Sequence, residues 1–294
     1  MNFRASNGYS LIGAFAFAAL TGANPASAEA RDNSINLAYV EWPDAIVSTN
    51  VMRVVLEDAG FEVETSLLSA AAMWQAVASG EADAMVDAWL PTTQQEYYQR
   101  HEDQVVDLGA NLDGTRQGLV VPDYVDNVAS IGDLADHAGE FDDRIVGIDP
   151  GDGIMQRTEA AMATYGLADM NLVGVSDATM IDALESAIDS NEAIVVTGWT
   201  PHWMFARWDL RYLDDPEHAY GGAEQIHTIV RQGLREEMPV ATCILDNFQW
   251  TPETINQAML MNQQEDATAY DNARQWVNNH QDVVSAWTQG CAQE

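Results

Sequence analysis

Ile35-Asn36-Leu37-Ala38-Tyr39-Val40-Glu41-Trp42, with the Pro43 to Gly60 stretch and the Phe61 to Leu67 stretch behind it, decides the fold. The first eight residues are mostly apolar and lack helical spacing, which reads as a buried strand. Pro43 suits the first turn of a helix and Gly60 its stop. Phe61 to Leu67 is short and partly alternating, a second strand. Strand, helix and strand in succession require a parallel sheet covered by helices.

The alternation continues. Ala70 to Ser79 reads as a helix and Ala82 to Trp89 as a third strand. Val105 to Leu108 and Gly118 to Val121 read as further strands, the latter ending at Pro122. The pattern then restarts, with a strand over Ile145 to Ile148, a helix over Ile154 to Tyr165 and a strand over Leu172 to Val175. A helix over Asp177 to Ser190 and a strand over Ala193 to Thr197, running into Trp199, complete it. Residues 252–288 are mostly helical in pattern.

Residues 1–28 read as a signal peptide, with Arg4 in the n-region, an apolar core from Leu11 to Leu20, and Ala26-Ser27-Ala28 before the cut. The core is shorter than the roughly 20 residues a membrane span needs, and no later segment reaches that length. The residue after the cut is Glu29, so no lipid anchor is expected there. The expectation is a soluble, periplasmic monomer with no direct membrane insertion. Of 294 residues, the leader's 28 leave about 266, which is large for one core. Two α/β lobes are expected, each a mostly parallel sheet flanked by helices, with a ligand cleft between them. Lobe I would comprise 31–118 plus 232–294, and lobe II 119–231.

There are 46 Asp and Glu against 12 basic residues, all arginine, for a net charge of −34. Such a surface repels nucleic acid and anionic lipid. A hydrophobic content of 47% with nine tryptophans argues for a packed core over disorder. The charge fits a protein working at high salt, where screening removes self-repulsion. Cys243 and Cys291 can close a disulfide in an oxidising compartment or remain separate thiols. Neither has a CxxC or histidine partner nearby, so no metal site is read from them.

Three tryptophans stand at strand ends, Trp42, Trp89 and Trp199, the last two in Ala88-Trp89-Leu90-Pro91 and Gly198-Trp199-Thr200-Pro201. A single tryptophan is more often packing, and Trp74, Trp203, Trp208, Trp250, Trp276 and Trp287 are read that way. Three at equivalent strand ends, where α/β sheets hold their ligands, form a trap for a cation that cannot donate hydrogen bonds. A quaternary ammonium is such a cation. The loop Gly151-Asp152-Gly153-Ile154 joins a strand to a helix, where free N–H groups can hold an anion. A zwitterion with a trimethylammonium and a carboxylate satisfies both halves. There is no GxSxG, HExxH or GxxxxGK[ST], so neither hydrolase nor nucleotide chemistry is indicated, and no cofactor is expected.

These residues resemble the substrate-binding proteins of ABC importers for glycine betaine and proline betaine. The likeness rests on Gly147-Ile148-Asp149-Pro150-Gly151-Asp152-Gly153-Ile154-Met155, on the Gly198 to Arg207 stretch, on Tyr220 to Thr228, on Ile35 to Trp42, and on Ala88 to Thr93. It implies a cage of Trp42, Trp89 and Trp199, a carboxylate on the amides of Gly153 and Ile154, and delivery to a membrane permease. Two departures stand out. Gln94 lies where relatives often place a histidine on the carboxylate. Asp152 replaces a small residue and, if turned inward, would favour a pure cation such as choline. A choline or carnitine receptor is therefore the alternative within the fold. An accessory sensor and an enzyme acting on a quaternary amine are the alternatives outside it.

Overall fold

The computed structural model describes residues 33–264 and 267–291; the leader expected over 1–28 lies outside them. Strand β1 (Ser34–Tyr39) leads through helix Pro43–Asp58 to β2 (Glu62–Leu67). Helix Ala70–Ser79 then leads to β3 (Ala84–Leu90), every residue of which is buried. Helix Gln95–His101 precedes β4 (Val105–Pro122). The second series runs β5 (Arg144–Gly147), helix Gly153–Tyr165, β6 (Asn171–Gly174), helix Asp177–Ser190 and β7 (Val196–Thr200). Short β8 (Leu210–Tyr212) and β9 (Glu224–Arg231) follow, and helices Pro239–Asn247, Pro252–Met261, Ala269–Asn279 and Gln281–Thr288 close the chain.

The nine strands join in the order β2-β1-β3-β9-β4-β7-β5-β6, with β8 on β4. Strands linked by crossover helices pair in parallel, β1 with β2 and β3, β5 with β6 and β7. The α/β class and the periodic repeat thus agree with the sequence. The linking strands β4 and β9 pair antiparallel with their neighbours.

β4 corrects one expectation. Its two halves read as separate strands, but they form a single strand of 18 residues. Gly109 and Gly114 interrupt the apolar pattern because both take positive φ, at +106° and +77°. They accompany the register shifts against β9, which bend the strand without ending it. β4 pairs with β9 as far as Thr115 and with β7 from Arg116 onward, so one strand serves two groups. β9 pairs with β3 and the first half of β4, so residues 224–231 share the sheet of β1–β3.

Phe248, Trp250, Trp276 and Trp287 pack edge-on and stacked within 4.9 to 5.9 Å of one another. Trp250 donates its indole N–H to Ser48 Oγ on the first helix at 2.9 Å. A disulfide joins Cys243 and Cys291, fastening the last helix to Pro239–Asn247. The C-terminal helices are thereby anchored on the first strand group.

Candidate functional site

Trp42 follows β1 and occupies the N-cap of helix Pro43–Asp58. Trp89 and Trp199 are the penultimate residues of β3 and β7. All three rings are buried, and they face one small cavity together with Gly153 and Ile154. Thr93, Gln117 and Ile148 complete the wall. Thr93 and Ile148 lie inside the quoted motifs, but neither has a side chain that announces a site. Gln117, one residue before what reads as a plain strand, gives no signal at all.

The loop before helix Gly153–Tyr165 is shaped by Asp149, whose Oδ1 accepts the Gly151 N–H at 2.9 Å and whose carbonyl accepts the Asp152 N–H at 2.9 Å. Asp152 then takes the N-cap position, yet its carboxylate does not cap the helix. It accepts the Trp42 indole N–H at 2.9 Å instead. A helix leaves its first N–H groups without intrahelical acceptors, and here no side chain takes them. The amides of Gly153 and Ile154 therefore stay available beside the cavity, at the positive end of a 13-residue helix.

The two strand groups meet closely around this point. Trp199 donates to Asp44 Oδ1 at 3.1 Å, the reverse of the Trp42 contact. Tyr97 Oη donates to the Gly151 carbonyl and Arg157 Nη2 to the Thr92 carbonyl, each at 2.7 Å. Gly153 packs so tightly that a Cβ there would lie 2.2 Å from the Thr93 carbonyl oxygen. Thr93 is itself fixed by Glu224 at the start of β9, whose Oε1 accepts the Thr92 and Thr93 amides at 2.7 and 2.6 Å. This is a closed cleft.

Burial pushes the Asp152 carboxyl up to about 7; the Trp42 hydrogen bond pulls the other way, and Asp149 and Asp177 add to the rise. Its side chain borders the wider cleft outside the cage, a space of about 800 Å³ that also touches Asp177, Glu185, Trp203 and Arg207. Asp152 thus holds a ring from outside and does not line the inner cavity. Gln94 is buried behind Trp89, its Oε1 accepting from Trp74 Nε1 at 2.9 Å and from the Trp89 amide at 3.2 Å. It is not on the cavity wall either. His202 accepts the Met204 amide on Nδ1 at 3.1 Å and faces Asp177 with Nε2 at 3.4 Å. Among the described residues no helix is long and apolar enough to cross a membrane, and no cluster suits a metal ion.

Comparison with known proteins agrees with this architecture. Residues 33–279 match the family described as the substrate binding domain of ABC-type glycine betaine transport systems. The glycine betaine/carnitine transport binding protein GbuC of Listeria monocytogenes is 47% identical over 148 residues, which are 50% of this chain and 49% of that one. The chain thus spans about half the length of that relative. A lactococcal OpuAC solved closed with glycine betaine is 41% identical, with a TM-score of 0.83 over 87% of this chain and all of that one. An ABC-transporter choline binding protein solved with choline is 25% identical, with a TM-score of 0.82 over 89% of this chain and 93% of that one. Matched over nearly all its described residues, the chain belongs to the family of substrate-binding domains of ABC-type glycine betaine transport systems.

Proposed function

We propose that this protein captures a quaternary-ammonium osmolyte, glycine betaine or proline betaine, outside the cytoplasm and passes it to an ABC permease. The observation that carries the reading is the inner cavity, where three tryptophans and an uncapped helix N-terminus converge. The trimethylammonium would sit among Trp42, Trp89 and Trp199, and the carboxylate on the amides of Gly153 and Ile154. Each indole contributes about 0.5 to 2 kcal/mol to a dehydrated cation. Three rings with the amide hydrogen bonds bring the affinity to the micromolar range, roughly −8 kcal/mol. The rings come from both strand groups, so the cage is complete only when the groups meet, and a ligand favours closure through contacts absent from the open form. We assign these groups as two lobes, changing over near Thr115–Arg116 and again before Glu224. The leader, the acidic surface and the cargo fit an exported protein of a salt-stressed cell.

One observation favours a second reading. Gln94 faces Trp74 and Trp89 and brings no donor to the carboxylate half of the site, and within the choline or carnitine alternative this favours a choline receptor. Titration calorimetry with glycine betaine, proline betaine, choline and carnitine at molar salt separates the two. Micromolar binding of the betaines supports the proposal; binding of choline alone replaces it with the alternative. Recovery of the ligand chemically unchanged separates both from an enzyme.

A further inference from the structure

Two buried carboxyls stand behind the cage with no function assigned by the binding reading. Asp44 lies in the first turn of helix Pro43–Asp58 and Asp87 in the middle of β3; neither reaches solvent. Asp87 and Trp89 are two residues apart on one strand, so their side chains leave the same face. The two carboxyls lie within hydrogen-bonding reach of each other, and Asp87 also lies beside the Trp89 indole. Asp44 Oδ1 takes the Trp199 N–H from across the cleft. Asp44 Oδ2, both Asp87 oxygens and the Trp89 indole nitrogen are buried without a hydrogen-bond partner among the described residues.

Two ionised carboxylates in such a place would leave three buried oxygens unsatisfied and two like charges in contact. A single proton between them removes the like-charge contact and gives two of the three oxygens a partner. The groups facing the pair are few. The first helix brings Asp44, β3 brings Asp87 and Trp89, and the end of β7 with its turn brings Trp199 and His202. His202 packs edge-on against Trp199, and its own ring nitrogens are directed at Met204 and Asp177.

We propose that Asp44 and Asp87 form one proton-sharing pair that positions two cage rings, Trp199 from the opposite lobe and Trp89 from β3, and that closure over ligand draws the shared proton in. The proposal rests on the cage reading above. In the open form Trp199 no longer covers Asp44, water reaches the pair, and both carboxyls ionise near neutral pH. In the closed form burial raises both, Asp44 to about 6 and Asp87 well above the ordinary range, the second helped by its charged neighbour. Groups whose affinity for protons rises on closure weaken closure as pH rises.

Asp152 also gains proton affinity in the closed cleft, so the test is made in an Asp152→Asn background. Glycine betaine is titrated calorimetrically in two buffers of different protonation enthalpy, between about pH 6 and pH 8. The expected result is uptake of up to about one proton per ligand and a Kd that weakens about three- to tenfold across that range. Adding Asp87→Asn, which can still donate to Asp44, should abolish the uptake and flatten the pH profile of the Kd. Asp44→Asn removes the same proton and serves if the first variant does not fold. Proton uptake that survives these changes, or is absent from the Asp152→Asn protein, overturns the pair while leaving the cage intact. Absence of betaine binding at every pH overturns the cage reading and this proposal with it.

Discussion

Trp42 donates its indole N–H to Asp152 Oδ2 across the cleft at 2.9 Å. Trp199 makes the opposite crossing to Asp44. Each strand group therefore lends a ring to the cage and a carboxyl that fixes the other group's ring. In the proposed function, closure and assembly of the cage are one event, because the bonds from Trp42 and Trp199 cross between the two strand groups.

Asp152 is the clearer of the two to test, since its side chain does not cap its own helix. Asp152→Ala should leave the fold stable and weaken ligand affinity about tenfold, the worth of one buried hydrogen bond of about 1.4 kcal/mol. Asp152→Asn keeps an acceptor for Trp42 and should stay within about threefold of the parent near neutral pH. Equilibrium titration of both variants beside the parent checks the pair.

The same carboxyl carries a pH dependence of definite sign. Burial raises it from the ordinary 3.8 to about 7 in the closed cleft, so the closed form holds a proton that the unfolded chain has lost. Its contribution is whole below about pH 4, falls as pH rises from about 4 to 7, and is constant above. Thermal unfolding of the parent and Asp152→Asn from pH 5 to pH 8 should show a smaller decline in the variant, in the presence of saturating ligand.

Gly153 should be intolerant of a single methyl group. A Cβ at that position meets the Thr93 carbonyl at 2.2 Å, and backbone on the facing lip has no room to give. Gly153→Ala is expected to fold, because the clash arises only across the cleft, and to lose at least about a hundredfold in affinity. Small-angle scattering should find the variant open with ligand present, where the parent contracts.

The strand–helix alternation, the three ring positions and the loop at Gly153 were legible because each is a local pattern: an apolar run, a breaker, a tryptophan at a strand end. What was not legible depends on distant parts of the chain. Asp44 and Asp87 are two among 46 acidic residues, and only the approach of one helix to β3 distinguishes them. The role of Gln94 is set by Trp74, 20 residues away, so counting five places from Trp89 could find its position but not its direction. β4 reads as two strands in sequence, with Gly109 and Gly114 between them, whereas its neighbours keep the bent strand paired throughout.

The disulfide spans 48 residues between Cys243 and Cys291. Closing a loop of that length is worth about 4 kcal/mol in the chain-entropy account, and measured values run about 2 to 4. Reduction, or Cys291→Ser, should lower the unfolding midpoint by about 5 to 15 °C. Ligand affinity should stay unchanged below that midpoint, because the bridge lies among the C-terminal helices and not at the cage.

Intrinsic tryptophan fluorescence, titrated with glycine betaine at molar salt, is the most direct test of the central claim. The account predicts a saturable change with a Kd in the micromolar range for the parent protein. It predicts a loss of at least about tenfold in affinity for Trp199→Ala, from one missing ring and its hydrogen bond. A folded parent protein that shows no response to glycine betaine or any other quaternary amine would contradict it.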